Sequence, residues 1–315
     1  MTDADGPSDR ASGGSGCLII VSTPIGNLGD LSPRAVAVLG EADLVCCEDT
    51  RRTRGLLTHA GISGRRLLSL HARNEAERLP EVLGLLASGK TVAVVSDAGT
   101  PTVSDPGARL VAAAVADGIP VTAVPGPSAA LAALVVSGLP TARFCFEGFL
   151  ARRGSDRRRR LEALAGEERT TLIHEAPGRL AATLADLAGA CGGERAVVVA
   201  RELTKLHEEV WRGTLAEGAQ AFAVREVRGE VVVVLAGAEP PPPADEDAVV
   251  EALRRHVEDG ASWRDAALAV ALELGVSRRQ VYDHSLILRR QGQDQKSDVK
   301  DSVGGHEILG PDEDQ

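Results

Sequence analysis

The sequence predicts an α/β protein with two α/β domains and a small helical module at the C-terminal end. Short apolar and β-branched runs, the first at Cys17–Val21, alternate with helical stretches through the N-terminal half, and this alternation is typical of a parallel sheet. A second strand–helix unit begins at Thr170, and the runs at 208–213 and 230–236 indicate antiparallel pairing. A chain of 315 residues, 43% of them hydrophobic, can bury the cores of two or three domains.

Four predicted strands in the N-terminal half end in loops rich in glycine, proline and polar residues. The strands and their loops are 17–21 with 22–30, 43–47 with 48–52, 91–95 with 96–101, and 119–124 with 125–128. Ligands of open α/β sheets bind outside the carboxyl ends of the strands, where all four loops meet. Loop 96–101 is the central candidate because its small residues let a ligand approach the backbone.

Helix signals lie between and after these strands. Ser-Pro at 32–33 predicts one helix start, and helical periodicity covers 75–87 and 129–136. Asp-Pro at 105–106 predicts another start, with the aspartate as N-cap and the proline in the first turn. Three helical patterns follow near the C-terminus, the last two separated by Gly-Val-Ser at 275–277.

Composition divides the chain into six segments. The Gly, Ser and Asp content of the start and the acidic residues of the end are typical of disorder, and a run of four prolines is typical of a stiff spacer. The predicted segments are a disordered tail at 1–16, an α/β domain at 17–147, a second α/β domain at 148–238, a Pro-rich linker at 239–245, a helical module at 246–290 and a disordered acidic tail at 291–315.

Composition also excludes several kinds of protein and site. The five cysteines, with Cys46 and Cys47 adjacent, and the seven scattered histidines indicate neither a disulfide framework nor a metal site. No apolar run is long enough to span a bilayer and the start has no signal-peptide pattern, so we expect a cytoplasmic protein without membrane contact. The net charge of −10 comes mostly from the two tails, so a local basic patch can still bind nucleic acid.

Six short motifs occur in order along the chain. They are Thr-Pro-Ile-Gly-Asn-Leu-Gly-Asp at 23–30, Glu-Asp-Thr-Arg at 48–51, Ser-Asp-Ala-Gly-Thr-Pro at 96–101, Asp-Pro-Gly at 105–107, Pro-Gly-Pro-Ser at 125–128 and Ala-Arg-Glu-Leu-Thr-Lys at 200–205. Across 17–290 the chain closely resembles the ribosomal RNA small subunit methyltransferase I family of the tetrapyrrole methylase superfamily. It departs from that family at His174, where an aromatic residue usually precedes the glutamate.

This resemblance implies two α/β domains with S-adenosylmethionine in the cleft between them, the first domain carrying the donor loops, and a homodimer. It also implies 2′-O-methylation of a cytidine ribose in small-subunit ribosomal RNA near the decoding centre, on naked RNA or on the assembled small subunit. The implied donor-binding residues are Thr23, Pro24, Ile25, Gly26, Asn27, Leu28, Ser96, Asp97, Ala98, Gly99, Thr100, Pro101, Pro125, Gly126, Pro127, Ser128, Ala129 and Leu150. At 125–127, ligand contact and a plain strand-to-helix turn both stay open.

The catalytic candidates follow from the chemistry of the transfer. Displacement at a sulfonium methyl mainly requires positioning of the reacting atoms, and a ribose hydroxyl, a poor acid, is helped by a base or hydrogen-bond acceptor. The candidates are Glu48, Asp49, Arg51, Glu202 and Lys205. These residues either orient the ribose across the cleft or form an inter-domain ion-pair network. Lys205 serves as the base only if its pKa is strongly lowered.

The arginine-rich stretch at 152–160 predicts a phosphate-contacting surface, with a solvated helix start as the alternative. The candidate RNA-binding residues are Arg52, Arg152, Arg153, Arg157, Arg158 and Arg201. In the helical module, Trp263, Arg278, Arg279 and Tyr282 form an accessory RNA-docking surface unless the two aromatic residues simply belong to the core.

Two further functions stay open from the sequence. One is a methyltransferase of the same fold that acts on a tetrapyrrole or another small acceptor, and the other is a non-catalytic ribosome-assembly factor that binds RNA. The Glu-Asp-Thr-Arg motif and the arginine cluster favour RNA as the acceptor, and the complete donor loops favour an enzyme. We therefore expect a methyltransferase that uses S-adenosylmethionine and no metal.

Overall fold

A computed structural model describes residues 16–239 and 245–289 of the protein. The chain divides into two compact units at residue 238. The first unit holds two β-sheets with their helices, and the second holds helices alone. The predicted disordered tails (apart from Gly16) and most of the predicted linker lie outside the described residues.

The N-terminal sheet has five parallel strands in the order β3-β2-β4-β1-β5, which confirms the predicted parallel α/β architecture. Its strands are β1 (Cys17–Val21), β2 (Leu44–Cys47), β3 (Leu67–Ser69), β4 (Thr91–Val94) and β5 (Val121–Val124). The accompanying helices are α1 (Pro33–Glu41), α2 (Thr50–His59), α3 (Glu75–Ala87), α4 (Ala108–Ala116) and α5 (Ala129–Ser137).

Side-chain alternation along β1 builds a separate core on each face of this sheet. Leu18 packs in a cluster that includes side chains of α3 and α4, whereas Ile19 and Val21 pack in a cluster that includes side chains of α1 and α2. Successive residues of a strand point to opposite faces, so a continuous apolar run is what a sheet covered on both faces requires.

The second sheet has the order β6-β7-β10-β8-β9, in which only the β6–β7 pair is parallel. Its strands are β6 (Phe144–Phe149), β7 (Thr170–Glu175), β8 (Ala196–Arg201), β9 (Glu209–Thr214) and β10 (Val231–Leu235), and its helices are α6 (Ser155–Ala165), α7 (Leu180–Cys191) and α8 (Leu215–Ala223). The antiparallel pairs β8–β9 and β8–β10 confirm the pairing that the alternating runs predicted.

Helix α5 joins the two sheets. It follows β5 of the N-terminal sheet, and its Ala133 and Leu134 pack with Leu172, Val198 and Val234 of the second sheet. A single core therefore runs from the last helix of the first domain into the second domain. The N-terminal end of α5 is thereby held beside both sheets, at the place where the candidate site lies.

The predicted start of α4 at Asp105 is wrong. The helix begins at Ala108, after Gly107 in a left-handed conformation (φ 113°), and Thr102 and Ser104 also have positive φ angles. The free amides of the first turn are satisfied from another helix, because the Glu75 carboxylate accepts from Arg109 N (2.9 Å) and Leu110 N (3.2 Å). Asp105 therefore lies in the loop before α4, and its side chain does not cap the helix.

The C-terminal unit consists of three described helices, α9 (Glu246–Glu258), α10 (Trp263–Glu273) and a third, α11, over 278–289. Side chains N-cap all three, with Asp245 Oδ1 accepting from Ala248 N (2.7 Å) and the Ser262 and Ser277 hydroxyls accepting from the amides three residues on. These helices share a common core that includes Val249, Leu253, Val270 and Val281.

Candidate active site

A cavity of about 380 Å³ lies between the strand-end loops of the N-terminal sheet and the edge of the second sheet. Its wall includes Ile25 after β1, 97–100 and 103–105 after β4, and the first residues of α5. The second sheet contributes Phe149, the segment 174–177 and the segment 229–232. The volume falls within the roughly 300–1,000 Å³ of small-molecule sites. We call this space the cleft cavity.

The loop after β4 presents backbone, rather than long side chains, to the cleft cavity. Gly99 pairs with Thr23 through two hydrogen bonds, in which Thr23 N donates to Gly99 O (2.9 Å) and Gly99 N donates to Thr23 O (3.0 Å). Gly99 has φ 79°, and a Cβ there would lie 3.3 Å from Cγ2 of Ile25. Glycine is thus required both by the left-handed backbone and by the close packing of two loops.

The loop after β5 is tied to the same structure. The Thr100 hydroxyl donates to Pro127 O (3.1 Å), and a Cβ on Gly126 would lie 2.9 Å from Cβ of Ser22. Ser128 is the N-cap of α5. Three strand-end loops are therefore cross-linked into one surface, with the carbonyl and amide groups of small residues at the cavity.

The structure brings part of the predicted donor set to the cavity wall. Ile25, Asp97, Ala98, Gly99, Thr100, Ser128 and Ala129 line it. The other predicted residues are absent from the wall, namely Thr23, Pro24, Gly26, Asn27, Leu28, Ser96, Pro101, Pro125, Gly126, Pro127 and Leu150. Thr23 and Ser96 are buried in loop-to-loop hydrogen bonds, and Leu150 belongs to the core of the second domain. Thr23 and Ser96 thus support the loops that form the cavity wall.

A group of carboxylates gives the cleft cavity its charge. Asp97, Asp105 and Glu230 line it, with Glu48 close by. Burial raises the pKa of Asp105 to about 6, and the neighbouring carboxylates add to that effect against the opposing Ser96 hydroxyl. The pKa of Glu48 is raised by burial and then by Asp97. The cavity therefore favours a cationic ligand and contains a carboxylate that is more basic than usual.

Arg52 and Asp49 connect the loop after β2 to this group. Arg52 Nη1 lies 3.4 Å from Asp97 Oδ2 and lines the cavity, although it was predicted to contact RNA. Asp97 Oδ1 accepts from Asp49 N (3.1 Å), and Asp49 Oδ1 in turn accepts from Arg51 N (2.7 Å). That backbone hydrogen bond lowers the pKa of Asp49. Asp49 is the N-cap of α2, and the Arg51 side chain is 89% exposed.

The segment 201–205 forms ion pairs within the second domain, whereas the alternative to a catalytic role was an inter-domain ion-pair network. Lys205 Nζ lies 2.8 Å from Glu202 Oε1 and 3.3 Å from Glu230 Oε2. Burial alone would lower the pKa of Lys205, but these two carboxylates outweigh it and raise the pKa. The condition for Lys205 to act as a base is therefore not met. The Thr204 hydroxyl accepts from Asn27 N (3.1 Å), which ties this segment to the loop after β1.

The arginine-rich stretch divides into exposed and buried members. Arg152, Arg153 and Arg158 are exposed, whereas the side chain of Arg157 is only 11% exposed. Arg157 Nη2 lies 2.7 Å from Asp186 Oδ2, and the same guanidinium donates to Ala151 O and Thr183 Oγ1.

Packing between α6 and α7 occupies the guanidinium of Arg157, so the structure does not favour the RNA contact that was predicted for this residue. Arg201, another candidate, pairs with Glu209 at 2.9 Å and donates to Arg228 O.

Sequence reasoning placed the donor between the two domains but did not identify most residues of the wall from the second sheet. The ring of His174 lies edge-on to Phe146 and Phe149, with centroids 5.0 and 5.5 Å away. Its buried Nε2 has no hydrogen-bond partner within the described part of the chain, and burial lowers its pKa, so the ring is neutral at pH 7. The departure of His174 from the family pattern was the one signal that could have directed attention to this wall.

Within 16–239 and 245–289, no helix is long and apolar enough to cross a membrane. Within the same ranges, no group of three or more His, Cys, Asp or Glu side chains is arranged to hold a metal ion.

Comparison with known proteins identifies the family. The family model for Tetrapyrrole (Corrin/Porphyrin) Methylases matches residues 17–219. Two curated relatives carry the name ribosomal RNA small subunit methyltransferase I. The Synechocystis protein is 46% identical over 88% of this chain and all of its own length, and the Mycobacterium tuberculosis protein is 48% identical over 88% and 97%.

Solved structures show the same fold at low sequence identity. Uroporphyrin-III C-methyl transferase from Thermus thermophilus, solved in complex with S-adenyl homocysteine, is 21% identical with a TM-score of 0.51, over 70% of this chain and 96% of its own. A cobalt precorrin-4 methyltransferase is 19% identical with a TM-score of 0.55, over 71% and 96%. The match of the family model over residues 17–219 shows that the chain belongs to the tetrapyrrole methylase family.

Proposed function

We propose that this chain is an S-adenosylmethionine-dependent methyltransferase that modifies the 2′-hydroxyl of a cytidine ribose in small-subunit ribosomal RNA, near the decoding centre. The methyltransferase activity and its donor rest on membership of the tetrapyrrole methylase family. The ribosomal substrate rests on the curated relatives, which match this chain over nearly their whole length. The observation that carries the proposal is the cleft cavity, which has loops of small residues on one side and the side chains of Asp97, Asp105 and Glu230 on its wall.

The cleft cavity suits a cationic donor. S-adenosylmethionine carries a positive sulfonium and an ammonium group, and Asp97, Asp105 and Glu230 provide negative charge on the wall. The backbone of Ala98 and Thr100 and the N-terminal end of α5 lie at the wall, where they can contact adenine, ribose and the amino-acid part, whereas the amide and carbonyl of Gly99 are already paired with Thr23. Holding the donor rigidly is most of what an in-line methyl transfer asks of a protein.

A carboxylate beside the donor assists the acceptor hydroxyl. Glu48 was the candidate from the sequence, and the structure adds Asp105, which lines the cavity directly. A carboxylate with a pKa of about 6 is ionised at pH 7 and is a stronger hydrogen-bond acceptor than an ordinary aspartate. Asp105 and Glu48 are thus the residues that we assign to orient the hydroxyl and take its proton.

RNA is preferred to a tetrapyrrole as the acceptor because exposed arginines flank the second domain. Arg152, Arg153 and Arg158 are exposed, and none of them forms an ion pair within the described residues. Free guanidinium groups attract a phosphate backbone. The assembled small subunit and the naked RNA are both acceptors that this surface allows.

The proposal includes a homodimer in the cytoplasm. Its support within the fold is the exposed apolar face of α5, where Leu131 and Val135 are 49% and 71% exposed. Contiguous apolar side chains on a surface favour association. Sedimentation of the wild type as a dimer, and of Val135→Asp as a monomer, is expected; a monomeric wild type would contradict this part of the proposal.

The proposed acceptor is tested by methyl transfer to purified components. Small subunits from cells lacking this protein, their naked RNA and uroporphyrinogen III are each incubated with the full chain and labelled S-adenosylmethionine. We expect label in the ribosomal RNA and one cytidine that resists alkaline cleavage, because 2′-O-methylation removes the attacking hydroxyl. Label in uroporphyrinogen alone would support the tetrapyrrole alternative. Donor binding without any transfer to RNA would contradict the proposed acceptor.

A further inference from the structure

The C-terminal unit carries a groove of about 720 Å³ between α10 and α11. The residues of interest on its wall are Arg264, Arg278, Arg279, Arg289, Trp263 and Tyr282. All four arginines are exposed. We call this feature the arginine groove, and it is formed within the C-terminal unit alone.

Charge is segregated within this unit. Residues 245–289 contain nine acidic residues and six arginines, yet four of the six arginines line the groove. None of those four forms an ion pair within the described residues, whereas Arg255 pairs with Glu273 elsewhere on the unit. Asp265 also lines the groove, and its Oδ2 accepts from the Ser262 hydroxyl (2.7 Å). Among residues 245–289, the positive charge of the groove is therefore left without ion-pair partners, as a binding site for a polyanion requires.

Helix stability does not explain the position of two of these arginines. Gly275 turns the chain with φ 63°, and the Ser277 hydroxyl accepts from Gln280 N (3.2 Å) to cap α11. Arg278 and Arg279 thus occupy the first turn, where the helix dipole disfavours cations. An anionic ligand in the groove would reverse that unfavourable interaction, since helix N-terminal ends attract anions.

An exposed aromatic ring distinguishes the groove from a simple phosphate-binding surface. Tyr282 is 50% exposed on the wall, while Trp263 packs partly against the core of the unit. An accessible ring beside guanidinium groups is the arrangement on which unpaired bases stack. A duplex hides its base faces, and a protein that reads duplex DNA places a protruding helix in the major groove instead of offering a concave surface.

We propose that the arginine groove binds a single-stranded segment of RNA, with the arginines on its phosphates and one base stacked on Tyr282. The inference rests on the proposed function in one respect, namely that RNA is the polyanion which this chain meets. It adds a second RNA-binding surface outside the two α/β domains. That surface would recruit the substrate without taking part in methyl transfer.

The test measures binding of the full chain to a fluorescent single-stranded fragment of small-subunit ribosomal RNA over a series of salt concentrations. The triple variant Arg264→Ala/Arg278→Ala/Arg279→Ala should bind at least about ten-fold more weakly at low salt. Its slope of log affinity against log salt should fall by about 2, since each phosphate contact to a single strand contributes about 0.7. Arg254→Ala is the matched control, because Arg254 is exposed on α9 and is not part of the groove.

A second pair of variants reports on stacking without removing charge. Tyr282→Ala should weaken binding roughly ten-fold, whereas Tyr282→Phe, which keeps the ring, should bind like the wild type. Thermal unfolding and donor binding are measured for every variant, so that a folding defect is recognised. If the triple variant is misfolded, the comparison of Tyr282→Ala with Tyr282→Phe tests the proposal instead.

Three results would overturn the inference. If wild type binds RNA and all groove variants bind like Arg254→Ala, the RNA-binding surface lies elsewhere and the proposed function is unaffected. If duplex DNA binds more tightly than single-stranded RNA through the same arginines, the groove is a DNA site. If wild type binds no RNA, both this inference and the proposed acceptor fail.

Discussion

At the scale of single residues, Asp105 is a partly buried carboxylate on the wall of the cleft cavity. Its pKa of about 6 in the folded protein lies above the 3.8 of an unburied aspartate. The folded state therefore binds a proton more tightly than the unfolded state, so stability is fully present below about pH 4 and is lost as pH rises through 6. Above about pH 6 the ionised carboxylate of Asp105 therefore lowers the stability of the folded protein.

The first prediction concerns Asp105→Asn. The variant should have a higher melting temperature than wild type at pH 8, because it removes the buried charge, and the difference should vanish near pH 4. Calorimetric unfolding at several pH values measures this. Methyl transfer should fall at least ten-fold, since an amide cannot take the hydroxyl proton. An equal melting difference at every pH, or wild-type activity, would refute the assignment of Asp105.

A second prediction separates Glu48 from Glu202. Glu202 accepts from Lys205 Nζ and from Glu230 N (both 2.8 Å), and the hydrogen bond from Lys205 lowers its pKa. Glu202→Gln should therefore destabilise the protein by about 1–3 kcal/mol with little change in the turnover of folded enzyme. Glu48→Gln should lower turnover by about ten-fold or more with little effect on stability. Turnover normalised to folded protein decides between them, and normal turnover in both variants would remove the catalytic interpretation of Glu48 and Glu202.

At the scale of secondary-structure elements, Arg157 fastens α6 to α7. Arg157→Ala should destabilise the protein by about 2 kcal/mol, because the Thr183 and Ala151 oxygens lose their donor and Asp186 loses its partner. Arg158→Ala, an exposed change on the same helix, is the control and should lie within about 0.5 kcal/mol of wild type. Urea unfolding measures both. A loss of RNA binding in Arg157→Ala without loss of stability would restore the original phosphate-contact interpretation.

The elements of the N-terminal sheet were predictable from the sequence because their signals are local. Strands β1, β2 and β4 are short apolar runs, and the loop after each begins where polar residues interrupt the run. Two features depend on distant residues and were not predictable. The start of α4 is set by Glu75, which is 34 residues away from Arg109 in sequence, and the second-sheet wall of the cavity is assembled from segments around Phe149, His174 and Glu230.

Single-sequence reasoning also could not distinguish free from occupied charges. Arg157 and Arg158 are adjacent in a run of four arginines, but helical geometry turns the first towards α7 and the second towards solvent. Lys205 likewise required knowledge of Glu230, which lies on the loop before β10. The identity of the strand-end loops was visible in the sequence, whereas the protonation behaviour of their side chains was not.

At the scale of the whole molecule, the proposed donor site and the proposed RNA-binding groove belong to different parts of the chain. Every residue on the wall of the cleft cavity lies within 25–232, whereas the arginine groove lies within 263–289. A chain that ends at residue 238 should therefore bind S-adenosylhomocysteine within about two-fold of the full chain while it loses affinity for single-stranded RNA. Calorimetric titration checks the first statement and fluorescence anisotropy the second. Loss of donor binding in a folded truncated chain would show that the C-terminal unit contributes to the donor site.

A crystal structure of the full chain with S-adenosylhomocysteine would test the position of the donor site directly. We predict that the ligand occupies the cleft cavity, that backbone groups of 98–100 and the Ser128 end of α5 hold it, and that its sulfur faces Asp105. A ligand bound elsewhere, with the cleft cavity empty, would contradict the assignment of the donor site. It would remove the basis for the roles given to Asp105 and Glu48.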